Sequence, residues 1–279
     1  MADRKRADVL LVEQGLCESR ERAQAAIMEG RVYLGEKRIN KPSEQLSPEE
    51  TLAVRSGDND YVSRGALKLE KAIRVFGAKM DGRVVMDIGA STGGFTDVCL
   101  RAGAKRVYSI DVGYGQLDWK LREDPRVVCM EKTNFRYVTP GDLDPEAMPD
   151  FASVDVSFIS LSKILPPAAA ILPEGGEMVC LIKPQFEAGR EKVGKKGVVR
   201  DPAVHEQVIE SCLEIARRTG FSVEGLSWSP IRGPEGNIEY LMYLRRLAQA
   251  GEQTGEQAGS ALPSPEEIRE IVRKSHETL

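Results

Sequence analysis

Residues 84–95, V-V-M-D-I-G-A-S-T-G-G-F, limit the fold more than any other part of the chain. An apolar run typical of a buried strand leads directly into a glycine-rich turn, and a helical pattern begins at Gly94. Glycines in such a turn let the backbone approach a ligand closely, and the first N–H groups of the helix can meet an acceptor. The spacing is not G-x-G-x-x-G and no Gly-Lys-Ser/Thr follows, so dinucleotides and nucleoside triphosphates are disfavoured as ligands.

The alternation of strand-like and helix-like segments continues along the chain. Strand-like segments recur at 107–110, 127–130, 152–156, 178–182 and 240–244, with helical patterns over 94–101 and 203–219. This alternation predicts an α/β domain of Rossmann-like type, with a mainly parallel sheet covered by helices on both faces. In such a fold, ligands bind at the carboxyl ends of the strands.

Two further sections flank this domain, which we place at 61–247 and which opens with a predicted helix over 64–76 capped by Ser63. Residues 1–60 predict helices over 7–14 and 20–29, a hairpin over 31–40 and a short strand over 51–54, which together make a small α+β module. Residues 248–279 predict a linker rich in Gly, Gln and Ala, followed by a short amphipathic helix that Ser264 caps.

The composition argues against several classes of protein. The five cysteines are widely spaced without a C-x-x-C pair and there are only two histidines, so neither a disulfide framework nor a metal site is expected. No apolar stretch approaches the roughly 20 residues that span a bilayer as a helix, and the N-terminus does not resemble a signal peptide. We therefore expect a soluble, cytoplasmic protein without a membrane partner.

The net charge of −4, from 39 basic and 43 acidic residues, argues against a nucleic-acid-binding protein when it is taken as a whole. Its distribution weakens that argument. The charge is −2 for residues 1–60, +1 for 61–247 and −3 for 248–279, whereas residues 20–41 hold six basic residues against three acidic ones. A basic face in the N-terminal section is compatible with contacts to RNA phosphates, and a solvated surface is the alternative interpretation.

The second predicted strand ends in an acidic residue, Asp111, which suits the two hydroxyls of a ribose. Because the glycine-rich turn lacks a pyrophosphate-binding pattern, we expect a ribose-bearing ligand without pyrophosphate, and S-adenosylmethionine has that shape. The alternative is that the glycines serve only a tight turn and that Asp111 caps a helix. The candidate cofactor-binding residues are Asp87, Gly89, Ala90, Ser91, Thr92, Gly93, Gly94, Phe95, Asp111 and Asn134.

Six motifs resemble those of a known family. They are Y-V-S-R-G-A-L-K-L at 61–69, D-I-G-A-S-T-G-G-F-T at 87–96, D-V-G-Y-G-Q-L at 111–117, D-V-S-F-I-S-L at 155–161, K-P-Q-F-E at 183–187 and G-N-I-E-Y at 236–240. Together they resemble the TlyA family of ribosomal RNA 2′-O-methyltransferases, whose members are often named haemolysins. The resemblance covers residues 3–246 and implies an N-terminal RNA-binding domain like that of ribosomal protein S4, followed by an FtsJ-like (RrmJ-type) methyltransferase domain.

The resemblance also implies a catalytic tetrad of Lys68, Asp155, Lys183 and Glu239. The reaction would be displacement of the sulfonium-bound methyl group by a ribose 2′-hydroxyl, which loses its proton in the transition state. A lysine accepts a proton only when it is neutral; burial and positive neighbours favour that form, and carboxylates disfavour it. We assign Lys183 as the base, Lys68 and Glu239 as the residues that orient the 2′-oxygen, and Asp155 as a neighbour of the methyl group.

The expected partner is ribosomal RNA or a ribosomal subunit, with a cytidine of the large or the small subunit, or of both, as the target. A second basic stretch, at 190–200, directly follows the motif that carries Lys183. Three alternatives are an RNA-binding protein without transfer activity, a membrane-active haemolysin and a methyltransferase for a small molecule. The candidate RNA-binding residues are Arg4, Arg6, Arg20, Arg22, Lys37, Arg38, Lys41, Arg64, Lys192, Lys195 and Lys196.

Overall fold

The structure is a computed structural model that describes residues 4–17, 19–28, 30, 32–35, 37–54, 61–248 and 262–279. The chain divides into two compact units, Met1–Arg64 and Gly65–Leu279. The predicted linker at 249–260 lies outside the described residues.

The smaller unit packs two helices on short strands. A three-stranded sheet has the order β3-β2-β5 with antiparallel neighbours, and a two-stranded ladder joins β1 to β4. The core contains Leu10, Leu11, Ile27, Val32 and Leu52, all of them buried. The elements are β1 (Lys5–Arg6), α1 (Ala7–Glu13), α2 (Arg20–Met28), β2 (Val32–Leu34), β3 (Lys37–Arg38), β4 (Gln45–Leu46) and β5 (Leu52–Val54).

The larger unit is built around a seven-stranded sheet of order β11-β12-β10-β9-β6-β7-β8. The five strands from β10 to β8 are parallel, and β12 runs antiparallel to both of its neighbours, β10 and β11. The strands are β6 (Val84–Ile88), β7 (Arg106–Ile110), β8 (Val127–Met130), β9 (Phe151–Val154), β10 (Glu177–Ile182), β11 (Phe221–Trp228) and β12 (Tyr240–Arg246).

Helices cover the sheet because its central strands are mainly apolar and every residue of β6, β9 and β10 is buried. The last helix, α9, packs on α8 and β11 and buries Ile268 and Val272, so it belongs to this unit. The helices are α3 (Ala66–Phe76), α4 (Gly94–Arg101), α5 (Trp119–Arg122), α6 (Leu165–Ile171), α7 (Pro184–Glu187), α8 (Pro202–Arg218) and α9 (Pro265–Thr278).

The chain order of the strands fixes where ligands bind. From β6 the chain moves outward to β7 and β8, and it then returns to place β9 on the other side of β6. The carboxyl ends of β6 and β9 therefore flank a topological switch point, which is the usual ligand crevice of an open α/β sheet. The glycine-rich turn and Asp155 both lie at this edge of the sheet.

The predicted α/β fold class is confirmed, with three differences in detail. The prediction that Ser63 caps the third helix is wrong: residues 62–65 form turns and bends, and α3 begins at Ala66 without a side-chain cap. The strand β11 was not predicted, because its sequence is not apolar throughout and a bulge between Val223 and Gly225 interrupts its register. The two-residue ladder of β1 and β4 is too short to show a periodic pattern.

No helix in the described part of the chain is both long enough and apolar enough to span a membrane. No group of His, Cys, Asp and Glu side chains among those residues is arranged to hold a metal ion.

Candidate active site

The glycine-rich turn follows β6 and packs directly against the end of β9. Gly89 has a φ of 87°, and a Cβ atom there would lie 2.6 Å from the backbone oxygen of Asp155. Gly93 has a φ of 96°, and its Cβ would lie 2.8 Å from Leu117 Cδ1. Side chains are therefore excluded at both positions by backbone conformation and by space. The result is a cradle that brings bare backbone to the switch point at the start of α4.

Asp87, the fourth residue of β6, is fully buried beneath this cradle. Its carboxyl oxygens lie 2.7 Å from Thr96 Oγ1 and 3.2 Å from Ser153 Oγ, and Thr96 in turn contacts Ser109 Oγ at 2.7 Å. Burial raises the pKa of Asp87 to about 7 against the opposing effect of these hydroxyls. Because Asp87 has no exposed surface, it supports the turn through these contacts from inside the fold.

Asp111 ties the turn to the loop that follows β7. Its Oδ2 accepts a hydrogen bond from Ser91 N at 2.9 Å, and its Oδ1 accepts one from Gly113 N at 2.7 Å. Each carboxylate oxygen can accept a second hydrogen bond. The half-buried carboxylate is therefore held in place by the backbone and can still receive the two hydroxyls of a ribose.

The other predicted cofactor residues differ in their exposure. Ser91 and Thr92 are exposed at the tip of the turn, and Ser91 adopts a φ of 49°. Asn134 follows β8, is half-buried and accepts a hydrogen bond from Arg136 N through Oδ1, which caps a short 3₁₀ helix. Four of the predicted residues are buried and support the cradle from inside: Ala90, Gly93, Gly94 and Phe95.

Four charged side chains from four separate segments of the chain lie close together beside the cradle. Lys68 of α3 lies 2.7 Å from Glu239 Oε2 and 3.2 Å from Asp155 Oδ2. Lys183, which follows β10, lies 2.5 Å from Asp155 Oδ1 and donates to Ser157 Oγ at 3.2 Å. The residues predicted as a tetrad thus form one continuous chain of ion pairs, in the order Glu239, Lys68, Asp155, Lys183.

The two lysines of this chain have different surroundings. Burial opposes the charged form of Lys68, but Asp155 and Glu239 outweigh it and raise the pKa of Lys68. Burial likewise opposes the ionised form of Asp155, but the two lysines lower its pKa. Lys68 is therefore held as an ammonium ion between two carboxylates, whereas Lys183 contacts one carboxylate and a hydroxyl. Of the two, Lys183 is better placed to act as a base.

A cavity of about 650 Å³ opens beside Lys183. Phe158 and Phe186 line it, with ring centroids 5.0 Å apart, and Asn237 lines it from the segment before β12. Phe158 is 90 % exposed and has a φ of 64°, a strained conformation for an aromatic residue. An exposed, strained aromatic side chain beside a buried lysine indicates a binding surface for a planar ligand.

Comparison with known proteins assigns the larger unit. Residues 61–246 match the FtsJ-like methyltransferase family, and residues 5–52 match the S4 domain. The chain belongs to the FtsJ-like methyltransferase family. YqxC of Bacillus subtilis is 51% identical over 276 residues, covering 99% of this chain and 95% of that protein. TlyA of Mycobacterium tuberculosis, named a 16S/23S rRNA (cytidine-2′-O)-methyltransferase, is 42% identical over 88% of this chain and 91% of its own length.

A solved structure agrees with this assignment. A hemolysin-named protein of Streptococcus thermophilus superposes with a TM-score of 0.75 at 47% identity, covering 100% of this chain and 98% of its own. The FtsJ-like methyltransferase uses S-adenosylmethionine, and its residues fit that cofactor. The side-chain-free cradle at Gly89 and Gly93 admits a ligand close to the backbone, and Asp111 offers a ribose-binding carboxylate.

Several candidate RNA-binding residues of the methyltransferase have intramolecular partners. The buried Asp8 binds Arg6 at 2.9 Å and Arg20 at 3.2 Å, and the Arg6 contact holds the pKa of Asp8 well below its usual range. Lys37 pairs with Glu44 at 2.7 Å. Part of the basic charge in the N-terminal section is therefore neutralised within the fold.

The remaining candidates differ in what they contact. Arg38 donates to Asn40, and Lys192 to Gln207. Arg31, which contributes to the predicted basic stretch, lies outside the described residues. Exposed positions are occupied by Arg4, Arg20, Arg22, Lys37, Arg38, Lys41, Arg64, Lys192, Lys195 and Lys196.

Sequence reasoning did not assign a role to Ser157, Phe158, Phe186 or Asn237. All four lie within motifs that carry the family resemblance, so the signal was present in D-V-S-F, K-P-Q-F-E and G-N-I-E-Y. What the motifs do not reveal is that these three segments line one cavity together with Lys183.

Proposed function

We propose that this methyltransferase transfers a methyl group from S-adenosylmethionine to the ribose 2′-hydroxyl of a cytidine in ribosomal RNA. The observation that carries the proposal is the ion-pair chain of Glu239, Lys68, Asp155 and Lys183 beside the cofactor cradle. The proposed substrate is taken from the TlyA relative, which is named an rRNA (cytidine-2′-O)-methyltransferase and is similar to this protein over most of both chains. The site of action is then the cytoplasm, where ribosomal RNA is made and assembled in bacteria.

The reaction requires a nucleophilic oxygen, and a ribose hydroxyl is a weak nucleophile until its proton is removed. When bound, S-adenosylmethionine supplies an electrophilic methyl group on a cationic sulfur. A lysine acts as a base only in its neutral form, and in that form Lys183 accepts the 2′-hydroxyl proton as the oxygen attacks. Asp155, 2.5 Å from Lys183 Nζ, and the nearby Ser157 hydroxyl then stabilise the ammonium ion that forms.

Lys68 has a positioning and electrostatic role in this scheme. Its ammonium group, fixed between Asp155 and Glu239, can donate a hydrogen bond to the 2′-oxygen as negative charge develops there. Glu239 is fully buried, so the surrounding residues fix the position of its carboxylate. A large share of the rate enhancement comes from alignment of oxygen, methyl carbon and sulfur.

The cavity beside Lys183 suits a single nucleotide. The volume of about 650 Å³ and the two phenylalanine rings match the needs of an unstacked base, which aromatic side chains recognise by stacking. A target ribose within folded RNA becomes accessible when its nucleotide leaves the stack. The S4 domain adds a second contact with the RNA through its exposed basic side chains.

The test uses radiolabelled methyl transfer to ribosomal RNA or isolated ribosomal subunits, followed by mapping of 2′-O-methylated nucleotides. We expect wild-type protein to label one or a few cytidines. Lys183→Ala should lose transfer while it binds S-adenosylmethionine normally. Lys105→Ala, at an exposed position before β7 and thus at the opposite edge of the sheet, is the matched control and should retain wild-type activity.

Two results would count against the proposal. Wild-type protein that binds S-adenosylmethionine but labels no RNA would favour an RNA-binding protein without transfer activity. Labelling at an atom of the nucleobase instead of the ribose would contradict the proposed acceptor. Full activity of Lys183→Ala would refute only the assignment of Lys183 as the general base.

A further inference from the structure

Residues 229–238, which connect β11 to β12, form the wall against which Glu239 packs. Gly233 lies directly on the Glu239 carboxylate: a Cβ atom at Gly233 would be 2.6 Å from Cδ and closer still to Oε1. Gly233 N donates to Asn237 O at 2.9 Å, which closes the segment on itself. The position of Glu239 in the ion-pair chain therefore depends on where this connection lies.

An arginine on the surface clamps the connection. Arg232 Nη1 donates to Gly236 O at 2.9 Å, which holds the two ends of the turn around Gly233 together. Arg232 Nε donates to the backbone oxygen of Leu279, also at 2.9 Å. The connection is thus tied to the far end of α9, a helix that contributes no residue to the ion-pair chain or to the cofactor cradle.

The same helix also contacts Tyr240, the residue after Glu239. The Tyr240 hydroxyl lies 3.1 Å from Ser275 Oγ of α9 and 2.7 Å from His205 Nδ1. His205 Nε2 lies 2.9 Å from the Val199 carbonyl, which can only accept, so Nε2 is the donor. In neutral His205 the Nδ1 atom then accepts from Tyr240.

Asn237 joins the connection to the basic segment beside the cavity. Its Nδ2 donates to Gly197 O at 2.9 Å, and its Oδ1 accepts from Val199 N at 3.2 Å. Asn237 is buried and lines the cavity next to Lys183. The contacts of α9, Arg232 and Asn237 therefore lie on the side of the site with the cavity, which the proposed function assigns to the nucleotide, and none of them involves a residue of the cofactor cradle.

We propose that Arg232 and the end of α9 form a brace that positions Glu239 and the nucleotide-binding wall for methyl transfer. Arg232 is a positioning residue in this scheme, because it acts through the backbone of residues 233–236. The inference rests on the proposed function, since the brace is expected to matter for transfer to RNA and not for binding of S-adenosylmethionine.

The test compares Arg232→Ala with wild type in single-turnover methyl transfer at saturating RNA and cofactor. Arg232 is exposed, so its removal leaves the hydrophobic core intact. We expect the transfer rate to fall about tenfold, because a displaced catalytic group loses its alignment, with the dissociation constant for S-adenosylmethionine changed less than about twofold. Arg232→Lys keeps the positive charge and a single donor nitrogen, and it should recover part of the rate. Arg269→Ala is the control, because Arg269 is an exposed arginine of α9 whose side chain donates within its own helix, to Pro265 O.

A shortened variant that ends at Glu277 distinguishes the brace from a direct contact between Arg232 and RNA. Removal of residues 278 and 279 takes away the α9 end of the brace but keeps the arginine. If the brace positions Glu239, methyl transfer by this shortened variant should be slowed as much as in Arg232→Ala, and the salt dependence of RNA binding should be unchanged. Normal transfer by this shortened variant together with a slow Arg232→Ala would overturn the inference, because the end of α9 would then play no part. A weaker salt dependence of RNA binding in Arg232→Ala would instead identify Arg232 as a phosphate contact.

Two further outcomes also bear on the inference. Normal transfer by Arg232→Ala would overturn it directly, as would equal losses of transfer and cofactor affinity, which would indicate a general loss of structure. Failure of the wild-type protein to methylate RNA would instead contradict the proposed function, so the two failures are distinguishable.

Discussion

Replacement of Gly233 by alanine should slow methyl transfer without weakening cofactor binding. Gly233 does not have a positive φ, so alanine is acceptable to the backbone and the only penalty is space. The new methyl carbon would lie 2.6 Å from Glu239 Cδ, whereas non-bonded carbon atoms prefer a separation of about 3.5–4.0 Å. Either the connection or the Glu239 carboxyl group must therefore move by about 1 Å.

Such a movement acts directly on the ion-pair chain. Glu239 is fully buried and Lys68 Nζ lies 2.7 Å from its Oε2, so a shift of about 1 Å stretches or breaks this contact and releases Lys68 from its position. A misplacement of about 1 Å in an active site can cost about 100-fold in rate. That factor corresponds to about 2.7 kcal/mol of transition-state stabilisation.

The assay is single-turnover transfer of a radiolabelled methyl group at saturating RNA, with cofactor affinity measured by calorimetry and folding checked by thermal denaturation. Gly141→Ala is the matched control, since Gly141 is a glycine of the same unit without a positive φ, and the nearest atom of the described residues to its Cβ would be Thr139 Oγ1, at 3.7 Å. Transfer by folded Gly233→Ala within about twofold of wild type would refute the claim that the position of Glu239 limits the reaction.

Two further predictions concern stability and RNA binding. Because burial raises the pKa of Asp87 to about 7, the protonated form stabilises the native state, and that stabilisation is lost as pH rises through 7. The free energy of unfolding should therefore fall by about 1 kcal/mol more between pH 6 and 8 in wild type than in Asp87→Asn, as measured by urea denaturation; parallel pH profiles would contradict the assignment. RNA binding should weaken steeply with salt, and deletion of residues 1–60 should reduce RNA affinity far more than cofactor affinity; equal RNA binding by the shortened chain would exclude a role for the N-terminal section.

Much of the fold was predictable because local patterns encode it. The strands β6 and β10 read as mainly hydrophobic runs, apart from Asp87 and Glu177, since both faces of a parallel sheet are covered. Helix α9 and its cap at Ser264 follow from an amphipathic pattern and a capping box. The strand β11 escaped prediction because its pairing with β12, and not its own pattern, holds it at the edge of the sheet.

The basic charge of the N-terminal section is a case in which a residue count misleads. The sequence identifies Arg6 and Arg20 as solvent-facing cations, but it does not show that the buried Asp8 lies between them. An aspartate in the first turn of α1 reads as an ordinary helix-start residue. Its burial depends on the packing of α1 against α2, which is a tertiary property.

The sequence by itself predicted the fold class, through the alternation of strand-like and helix-like segments, and the glycine-rich turn with its acidic partner at Asp111. The four residues of the ion-pair chain were predicted from the resemblance of short motifs to those of a known family. Only the tertiary structure decided the order of the ion pairs, with Lys68 shared between two carboxylates and Lys183 left beside a cavity. It also decided that the end of α9 reaches Arg232. Segments that are distant in sequence leave no mutual pattern in a single chain, so their contacts arise only when the sheet brings the strand ends and connections to one edge.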